Sequence, residues 1–511
     1  MKFILALIIA AGVVSCVGNC GRNSTAIRYQ ISSEPITLDP SLAEDGISLR
    51  ILGNTMDGLL GYDEQGKLEP RLAQDFAISE SGKTVMLTLR PGTQWSDGKP
   101  VEAADFVRGM RRSLLPATGS KLADLLLPIQ GAPEVARGQA DIGTLAVYAE
   151  GNTVRIQLAE PAPYFLHALT LPVALPQREE TAADPIKAPV TGPYTLSGYE
   201  RDQAIHLVPN RKYWREKAKG SPNPSPVDLV VVKEDAAALN LFEQGQLDVA
   251  SRIPNEEVAR LDRQGKIHRS TFFATYFVGF NTRSGAFAKK EARVAAARAI
   301  DATAIVKVIG GMDTVAQTWI PAGMPDALSA DGKVSRPSAQ AVPGGGVMGG
   351  AGGAAEFVYG FDSGSRNTTI AEKIQADFKA KLGVKLKLEP NDWKAHIARL
   401  RTDPPTLFRF GWQAPFMDPL SHLMMLTSGS PNNFTGWASP KYDQLVSKIV
   451  AAKPDTPGRR TLVEEAEAIL AAEAPVVPIY HYALVHAIQP RLQGFASNPL
   501  GVVQFRNLEL K

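Results

Sequence analysis

The sequence predicts an α/β protein with mixed sheets. Segments with a helical period alternate along the chain with segments whose apolar residues recur at every second position. Strands of the hairpin type lie among these alternating units, so a purely parallel sheet is not expected. The chain has 511 residues, of which 44% are hydrophobic, and this length indicates two or three lobes rather than one core.

Three segments in the first half of the chain have the pattern of strands. Ile27–Ile31 is a plausible first strand, and Thr84–Leu89 follows a turn signal at Ser81 and Gly82. Apolar and polar residues also alternate over 154–158. The last two segments are predicted to be half-buried antiparallel strands, because one face of each is apolar and the other polar.

The region after residue 365 changes from a helical to a strand period. Ile370, Ile374 and Phe378 share one helical face, and Gly383 is placed to end that helix. A period-two strand is predicted directly afterwards, over Val384–Leu388.

A second helix and strand are predicted near the C-terminus. Thr461 and Glu464 have the spacing of a capping box, so a helix is expected to begin there. The short apolar run Val476–Tyr480 is expected to be the following strand.

The N-terminus has the pattern of a bacterial lipoprotein signal. Lys2 precedes an apolar run at Phe3–Val14 that is too short to span a bilayer, and Val-Val-Ser then leads into Cys16. We expect 1–15 to be the signal peptide and 16–26 a tether lipidated at Cys16, which would hold the protein outside the cytoplasm at a membrane surface. An ordinary secretory signal, cleaved nearby, is the alternative.

Composition excludes several classes of function. The net charge of +3 gives no reason to expect nucleic acid as a partner. Both cysteines, Cys16 and Cys20, lie beside the signal, so neither a disulfide framework nor a cysteine metal site is expected in the body. No G-x-S-x-G, H-E-x-x-H or C-x-x-C motif occurs, and only His481 and His486 are near neighbours among seven histidines. We therefore expect no enzyme, no cofactor and no metal site.

Short motifs spread over most of the chain carry a family resemblance. They are I-T-L-D-P (36–40), M-D-G-L-L-G-Y-D-E-Q-G-K-L-E-P-R-L-A (56–73), L-R-P-G-T-Q-W-S-D-G-K-P-V-E-A-A-D-F-V (89–107), E-P-A-P-Y-F (160–165), T-G-P-Y-T-L (191–196), N-R-K-Y-W (210–214), A-R-V-A-A-A-R-A-I-D (292–301), R-F-G-W-Q-A-P-F-M-D-P-L (409–420) and A-P-V-V-P-I-Y (474–480). Their order resembles the oligopeptide-binding class of periplasmic solute-binding proteins, which serve ABC importers.

The resemblance implies the three-lobed periplasmic-binding-protein fold, with mixed sheets flanked by helices and a cleft that closes by hinge bending. The implied lobes are a discontinuous lobe I (27–45, 166–272 and 486–511), an inserted lobe II (46–165) and a lobe III (273–485) that contains a glycine-rich surface loop at 343–354. It also implies a monomer that delivers its ligand to permease subunits.

Matching positions in the family nominate ligand contacts on both sides of the cleft. Glu44, Asp45 and Gly46 correspond to a segment whose backbone pairs with an extended peptide, although they could form an ordinary surface turn. Trp393 and Trp412 correspond to pocket walls, and plain core tryptophans are the alternative.

The same matching nominates further residues around Trp412. Arg409, which precedes Gly411, corresponds to an arginine that can meet a ligand carboxylate, and an internal ion pair is the alternative. Gln413 could offer hydrogen bonds to a neutral ligand, and Tyr276 and Tyr482 are further candidates.

Pro415 departs from the pattern of peptide-binding relatives. They carry an aspartate there, which pairs with the α-ammonium group of the ligand, whereas proline has no charge or side-chain acceptor. An ammonium group buried without a counter-charge would cost several kcal/mol. Either the ligand lacks a free α-amino group, or Asp418, Glu44 or Asp45 replaces the missing acid.

We therefore expect a lipid-anchored, extracytoplasmic binding protein of an ABC importer, whose ligand is a peptide or peptide-like solute. Pro415 leaves open a non-peptide ligand in the same fold. Pro415 and the glycine-rich loop together leave open a receptor or envelope interaction module that no longer transports.

Overall fold

The computed structural model describes residues 25–217, 224–327 and 357–511. The predicted signal peptide, the lipidation site Cys16 and the glycine-rich loop at 343–354 lie outside the described residues. No helix in the described ranges is both long and apolar enough to cross a membrane.

Strands and helices alternate irregularly along the chain. The strands are β1 (Ile27–Ile31), β2 (Leu60–Tyr62), β3 (Leu68–Pro70), β4 (Ala73–Ile78), β5 (Thr84–Leu89), β6 (Val147–Glu150), β7 (Thr153–Gln157), β8 (Tyr194–Glu200), β9 (Ala204–Pro209), β10 (Val227–Val231), β11 (Val249–Ala250), β12 (Ile267–Phe280), β13 (Thr314–Val315), β14 (Phe357–Asp362), β15 (Leu386–Asn391), β16 (Leu407–Gln413), β17 (Val476–Ile488), β18 (Leu492–Gln493) and β19 (Glu509–Leu510).

The helices are α1 (Gly46–Thr55), α2 (Ala103–Leu114), α3 (Ala132–Ala136), α4 (Phe165–Ala168), α5 (Glu179–Ala183), α6 (Asp235–Glu243), α7 (Asn255–Arg263), α8 (Lys290–Ala299), α9 (Ala302–Ile309), α10 (Ser365–Leu382), α11 (Trp393–Thr402), α12 (Leu420–Leu423), α13 (Pro440–Ala451) and α14 (Pro457–Glu473).

One large mixed sheet extends through the molecule in the order β15-β14-β16-β12-β17-β11-β1-β10-β9-β8, with β13 paired to β17. Parallel pairs such as β1 with β10 stand beside antiparallel pairs such as β12 with β16. The predicted mixed α/β class is therefore confirmed.

Two long antiparallel strands connect the two halves of this sheet. β12 has 14 residues and β17 has 13, and they lie between the β14–β16 half and the half that contains β1. Their register shifts between Thr271 and Thr275, so the ladder is interrupted part of the way along. Such an interruption bends a strand and increases its local twist.

A separate antiparallel sheet, β4-β5-β7-β6, lies within residues 73–157. Its strand β5 has the bounds predicted from the alternation at Thr84–Leu89, and β7 has nearly the predicted span. The sheet packs its apolar face against α2, where Trp95 is completely buried and donates from Nε1 to Asp105 at 3.1 Å. Asp105 also accepts from the backbone N–H of Glu102, which closes the capping box of α2.

Two helix boundaries were predicted from the sequence, the end of α10 and the start of α14, and only the first is confirmed. α10 ends as predicted at Gly383, which adopts a left-handed conformation with φ of 68°. The capping box predicted at Thr461 is wrong. Helix α14 already begins at Pro457, because Thr456 caps it by accepting from the N–H of Arg459, and Thr461 lies inside the helix.

Candidate ligand-binding site

A cavity of about 330 Å³ lies where α1 and the chain after it meet the end of β16. Its walls come from four separated parts of the chain, within 44–62, 170–175, 413–415 and 498–506, together with a few single residues. Both apolar and charged side chains face it, as is usual for a site that binds a small solute.

The segment at the start of α1 contributes two of its three nominated residues to the cavity. Glu44 is exposed and lines the cavity, as does Gly46, whose missing side chain leaves open space. Asp45 has a different task, because its carboxylate accepts from the N–H groups of Ile47 and Ser48 at 3.1 and 2.9 Å and so caps the helix. This local cap fixes the direction in which Glu44 and Gly46 face the cavity.

The end of β16 contributes Gln413 and Pro415 to the same cavity. The backbone N–H of Ala414 donates to Phe273 at 2.8 Å, and Gln413 donates from Nε2 to the carbonyl of Leu500 at 3.2 Å. These bonds hold the turn after the strand, so that Pro415 presents an uncharged ring to the ligand space. Four nominated residues, Glu44, Gly46, Gln413 and Pro415, are thus brought together.

A second group of nominated residues surrounds Arg409 on one face of β16. Arg409 donates from Nη1 to Asp362 at 2.5 Å and from Nη2 to the hydroxyl of Tyr482 at 3.2 Å. Its guanidinium carbon lies 4.9 Å from the ring centre of Tyr276. Gly411 makes room for this arrangement, because a Cβ atom there would stand 3.0 Å from the Tyr482 hydroxyl.

This second group leaves Arg409 with a counter-ion. Arg409 forms an internal ion pair with Asp362, which is the alternative to a ligand contact given in the sequence analysis. A ligand carboxylate would have to compete with Asp362 for the Arg409 guanidinium. Tyr276 has no exposed surface and stacks on Tyr480 with ring centres 4.7 Å apart. In this conformation Tyr276 supports Arg409 rather than facing solvent.

The two nominated tryptophans differ in exposure. Trp393 is 52% exposed and stacks on Phe410 at 6.0 Å with nearly parallel rings. Trp412 is half-buried and donates from Nε1 to the carbonyl of Ser421 at 2.7 Å. Trp393 therefore keeps about half of its surface exposed beside Phe410 and Arg409, whereas Trp412 packs against the main core.

Of the three acids that could replace the one missing at Pro415, only Glu44 has its carboxylate available among the described residues. Asp45 caps α1, and both carboxylate oxygens of Asp418 accept from Arg459 at 2.7 Å in the interior. Glu44 lines the cavity and has no ion pair in the described part of the chain.

Several cavity residues were missed by the sequence reasoning. Arg50, Asp57, Arg71 and Arg506 all line the cavity. Arg71 lies in the family-like motif E-P-R-L-A, but no local signal connects it with Arg506 near the C-terminus. Only the fold brings these charges together.

Asp57 accepts hydrogen bonds from two fixed aromatic donors. Its Oδ2 atom accepts from the hydroxyl of Tyr213 and from Nε1 of Trp214, both at 2.9 Å. Burial and the neighbouring Asp57 charge raise the pKa of Tyr213, so the hydroxyl keeps its proton and continues to donate. Within the described ranges, no group of three or more histidine, cysteine or acidic side chains is arranged to hold a metal ion.

Comparison with known proteins places this fold and cleft in a family. The chain matches the family described as bacterial extracellular solute-binding proteins, family 5 Middle, over residues 67–434. It is 28% identical to the oligopeptide-binding protein OppA of Bacillus subtilis, over 96% of this chain and 93% of OppA. It is 26% identical to the probable deoxycholate-binding periplasmic protein YgiS of Escherichia coli, over 95% of this chain and 93% of YgiS.

A solved structure shares the fold over nearly the whole chain. The Escherichia coli murein tripeptide binding protein MppA superposes with a TM-score of 0.81, covering 95% of this chain and 98% of MppA at 24% identity. The predicted periplasmic-binding-protein fold is confirmed by this likeness. Because the family match extends over more than half of the chain, the protein belongs to the bacterial extracellular solute-binding proteins of family 5.

Proposed function

We propose that this chain captures peptides or peptide-like solutes outside the cytoplasm and delivers them to the permease of an ABC importer. The observation that carries the proposal is the cavity in which Glu44 and Gly46 meet Gln413 and Pro415. The relatives support a peptide ligand, since OppA is named for oligopeptides and MppA for a murein tripeptide.

Backbone groups at the cavity edge suit an extended peptide. The open space at Gly46 lets a ligand chain approach the backbone there without a side chain in the way. Pairing of this kind uses the N–H and C=O groups of the ligand itself and tolerates many side chains. Trp393 is 52% exposed and supplies an apolar surface for a ligand side chain outside the cavity lining.

Ligand capture is proposed to proceed by hinge closure. The two long strands β12 and β17 connect the halves of the large sheet, and the ladder interruption between Thr271 and Thr275 offers a place for bending. A ligand that contacts both sides of the cleft stabilises the closed form by the free energy of those additional contacts. The permease would then recognise the closed form.

We also propose that the mature protein is lipidated at Cys16 and works as a monomer at a membrane surface. The support is the sequence pattern around Cys16. In the native host, the wild-type protein should fractionate with membranes, and the Cys16→Ser variant should appear in the soluble extracytoplasmic fraction. Soluble wild-type protein would contradict the anchor without affecting the ligand proposal.

A second candidate is a non-peptide ligand without a free α-amino group. Pro415 favours it, because the cavity lacks a carboxylate at this position and Glu44 is the remaining available acid. The relative YgiS is named as probably binding deoxycholate, which is not a peptide, and this name supports the second candidate.

The deciding experiment is mass spectrometry of the ligand released when the purified protein is unfolded. It is followed by calorimetric titration with tri- to pentapeptides that carry free or acetylated N-termini. We expect released peptides and micromolar or tighter binding. Release of a single non-peptide solute, together with no binding of any peptide, would contradict the peptide proposal and support the second candidate.

A further inference from the structure

One wall of the cavity contains more arginine charge than carboxylate charge. We call the group the arginine cluster, and its members are Arg71, Arg90, Arg215 and Arg506. Two acids lie among them, Asp57 and Glu69. Arg71, Arg506 and Asp57 line the cavity, whereas Arg90, Arg215 and Glu69 do not.

The carboxylates of this wall are already engaged. Glu69 forms ion pairs with Arg71 at 3.1 Å and with Arg215 at 2.9 Å. Asp57 accepts from Tyr213 and Trp214, as described above. Glu69 is thus already paired with two arginines, whereas Asp57 keeps its full negative charge, because both of its donors are neutral.

Two members of the cluster have no carboxylate of their own within ion-pair distance among the described residues. Arg90 donates from Nε to the carbonyl of Arg71 at 2.6 Å, and its guanidinium lies 4.3 Å from the ring centre of Trp214. Arg506 donates from Nε to the neutral side chain of Gln504 at 3.4 Å. The cluster therefore contains four positive and two negative side chains. Part of its excess positive charge is exposed to the cavity at Arg506.

The arginines of this wall repel one another electrostatically. Burial lowers the pKa of Arg506, and the positive charges of Arg215 and Arg71 lower it further. Like charges repel more strongly where water is partly excluded. An anion in the cavity would relieve this repulsion and gain charge-assisted hydrogen bonds.

Another arginine on the same cavity adds to this charge. Arg50 on α1 lines the cavity and places its guanidinium 5.3 Å from the ring centre of Tyr29. Its Nε atom is buried and has no hydrogen-bond partner within the described residues. The charged side chains that line the cavity are therefore three arginines against Glu44 and Asp57.

The geometry points to an anion subsite at Arg506, backed by Arg71, that binds a carboxylate of the ligand. The inference rests on the proposed function, since it states which peptides the cavity prefers. The carboxylate could be an acidic side chain or the C-terminus of the ligand, which present the same planar group to a guanidinium fork. A neutral or basic ligand would leave the arginine surplus uncompensated.

The test uses alanine-based tri- to pentapeptides that differ only in charge. One arm compares an internal Glu with Gln in C-terminal amides, and the other compares a C-terminal acid with its amide. Calorimetric titration of the wild-type protein should show about tenfold tighter binding for at least one acidic form, the gain expected of one charge-assisted hydrogen bond. The arm that responds identifies the source of the carboxylate.

The variant Arg506→Gln should remove most of this preference, measured as the ratio of the acidic to the neutral peptide affinity within the variant. Arg506 is half-buried and holds no carboxylate, so its replacement is not expected to unfold the protein. Arg460→Gln is the matched control, because it removes the same charge from an exposed position on α14 away from the cavity. The control should keep the wild-type ratio.

Failure of the inference is distinguishable from failure of the proposed function. Peptides that bind equally well in acidic and neutral form, with no change in Arg506→Gln, would overturn the anion subsite and leave the peptide proposal intact. If no peptide binds, the subsite is tested with glutarate and inorganic phosphate in a thermal-shift assay. Stabilisation that Arg506→Gln abolishes and Arg460→Gln retains supports the subsite, and the absence of stabilisation overturns it.

Discussion

Arg459 donates from one nitrogen, Nη2, to both carboxylate oxygens of Asp418 at 2.7 Å, and both side chains are almost completely buried. A second nitrogen of the same guanidinium, Nη1, reaches Asp326 at 2.5 Å. Together these contacts tie α14 to the segment that follows β16. Asp418 therefore stabilises the fold and is not available to a ligand.

The first prediction concerns this ion pair. Asp418→Asn removes one of the two carboxylates that flank Arg459, whose charge Asp326 still balances, so the cost is that of the weakened charge-assisted hydrogen bonds, about 1.5–3 kcal/mol. We expect a loss of this size in the free energy of unfolding, measured in urea. Asp262→Asn removes a carboxylate from an exposed position on α7 and should change stability by less than about 0.5 kcal/mol. A loss below 1 kcal/mol in Asp418→Asn would show that the pair contributes little.

The second prediction concerns the pH dependence caused by Glu467. Burial raises its pKa to about 7, although backbone N–H groups of Ile320 and Trp319 oppose the shift. The raised pKa means that the folded protein keeps a proton which the unfolded chain loses above its ordinary value of 4.5. The stabilisation is therefore fully present below about pH 4.5 and is lost as the pH rises towards 7.

Unfolding in urea at pH 5 and pH 7.5 tests this sign. Wild type should lose on the order of 2 kcal/mol relative to Glu467→Gln between the two values, because glutamine keeps the acceptor for Ile320 and cannot ionise. Glu464→Gln, at an exposed position on the same helix, should follow the wild-type curve. Parallel curves for wild type and Glu467→Gln would contradict the raised pKa.

The parts of the structure that the sequence predicted are those determined by local patterns. The alternation over Thr84–Leu89 and the helix stop at Gly383 each depend on neighbouring residues, and both were confirmed. The start of α14 was missed although its cause is also local, because Thr456 with Pro457 begins the helix before the capping-box pattern at Thr461 is reached.

The cleft was predictable only where the family resemblance extended. Glu44 and Pro415, which the family resemblance singled out as candidate ligand contacts, both line one cavity. The arginine surplus could not be predicted, because Arg71 and Arg506 come from opposite ends of the chain and no periodic pattern relates them. The ion-pair partner of Arg409 could not be predicted either, because the pairing of β14 with β16 is what brings Asp362 beside it.

The third prediction concerns the space that Gly411 leaves beside Arg409. In Gly411→Ala, the new methyl group would lie 3.0 Å from the Tyr482 hydroxyl and 3.5 Å from Nη2 of Arg409. We expect a loss of about 1 kcal/mol in unfolding free energy, as for mild overpacking. The loss should largely vanish when the substitution is made in a Tyr482→Phe background, because the hydroxyl is then absent.

The matched control for this cycle is Gly429→Ala, where a Cβ atom meets no described residue within 4 Å. It should change stability by less than about 0.5 kcal/mol in both backgrounds. An equal cost of Gly411→Ala with and without the Tyr482 hydroxyl would show that the contact is not the cause.

The fourth prediction restores the carboxylate that this cleft lacks. Pro415 lines the cavity and has no hydrogen-bonding side chain, so a ligand ammonium group finds no counter-charge at that position. Pro415→Asp should strengthen binding of peptides with free N-termini about tenfold relative to their acetylated forms, since a charge-assisted hydrogen bond contributes roughly 1.5–3 kcal/mol. Calorimetric titration of both peptide forms measures this ratio.

Pro415→Asn is the control, because it relieves the same backbone constraint without adding charge and should leave the ratio near that of the wild type. If the ratio is already high in wild type and falls in Glu44→Gln, then Glu44 performs the role of the missing aspartate, as its unpaired position on the cavity allows. If neither Pro415→Asp nor Glu44→Gln alters the ratio, the ligand amino group does not reach this end of the cavity.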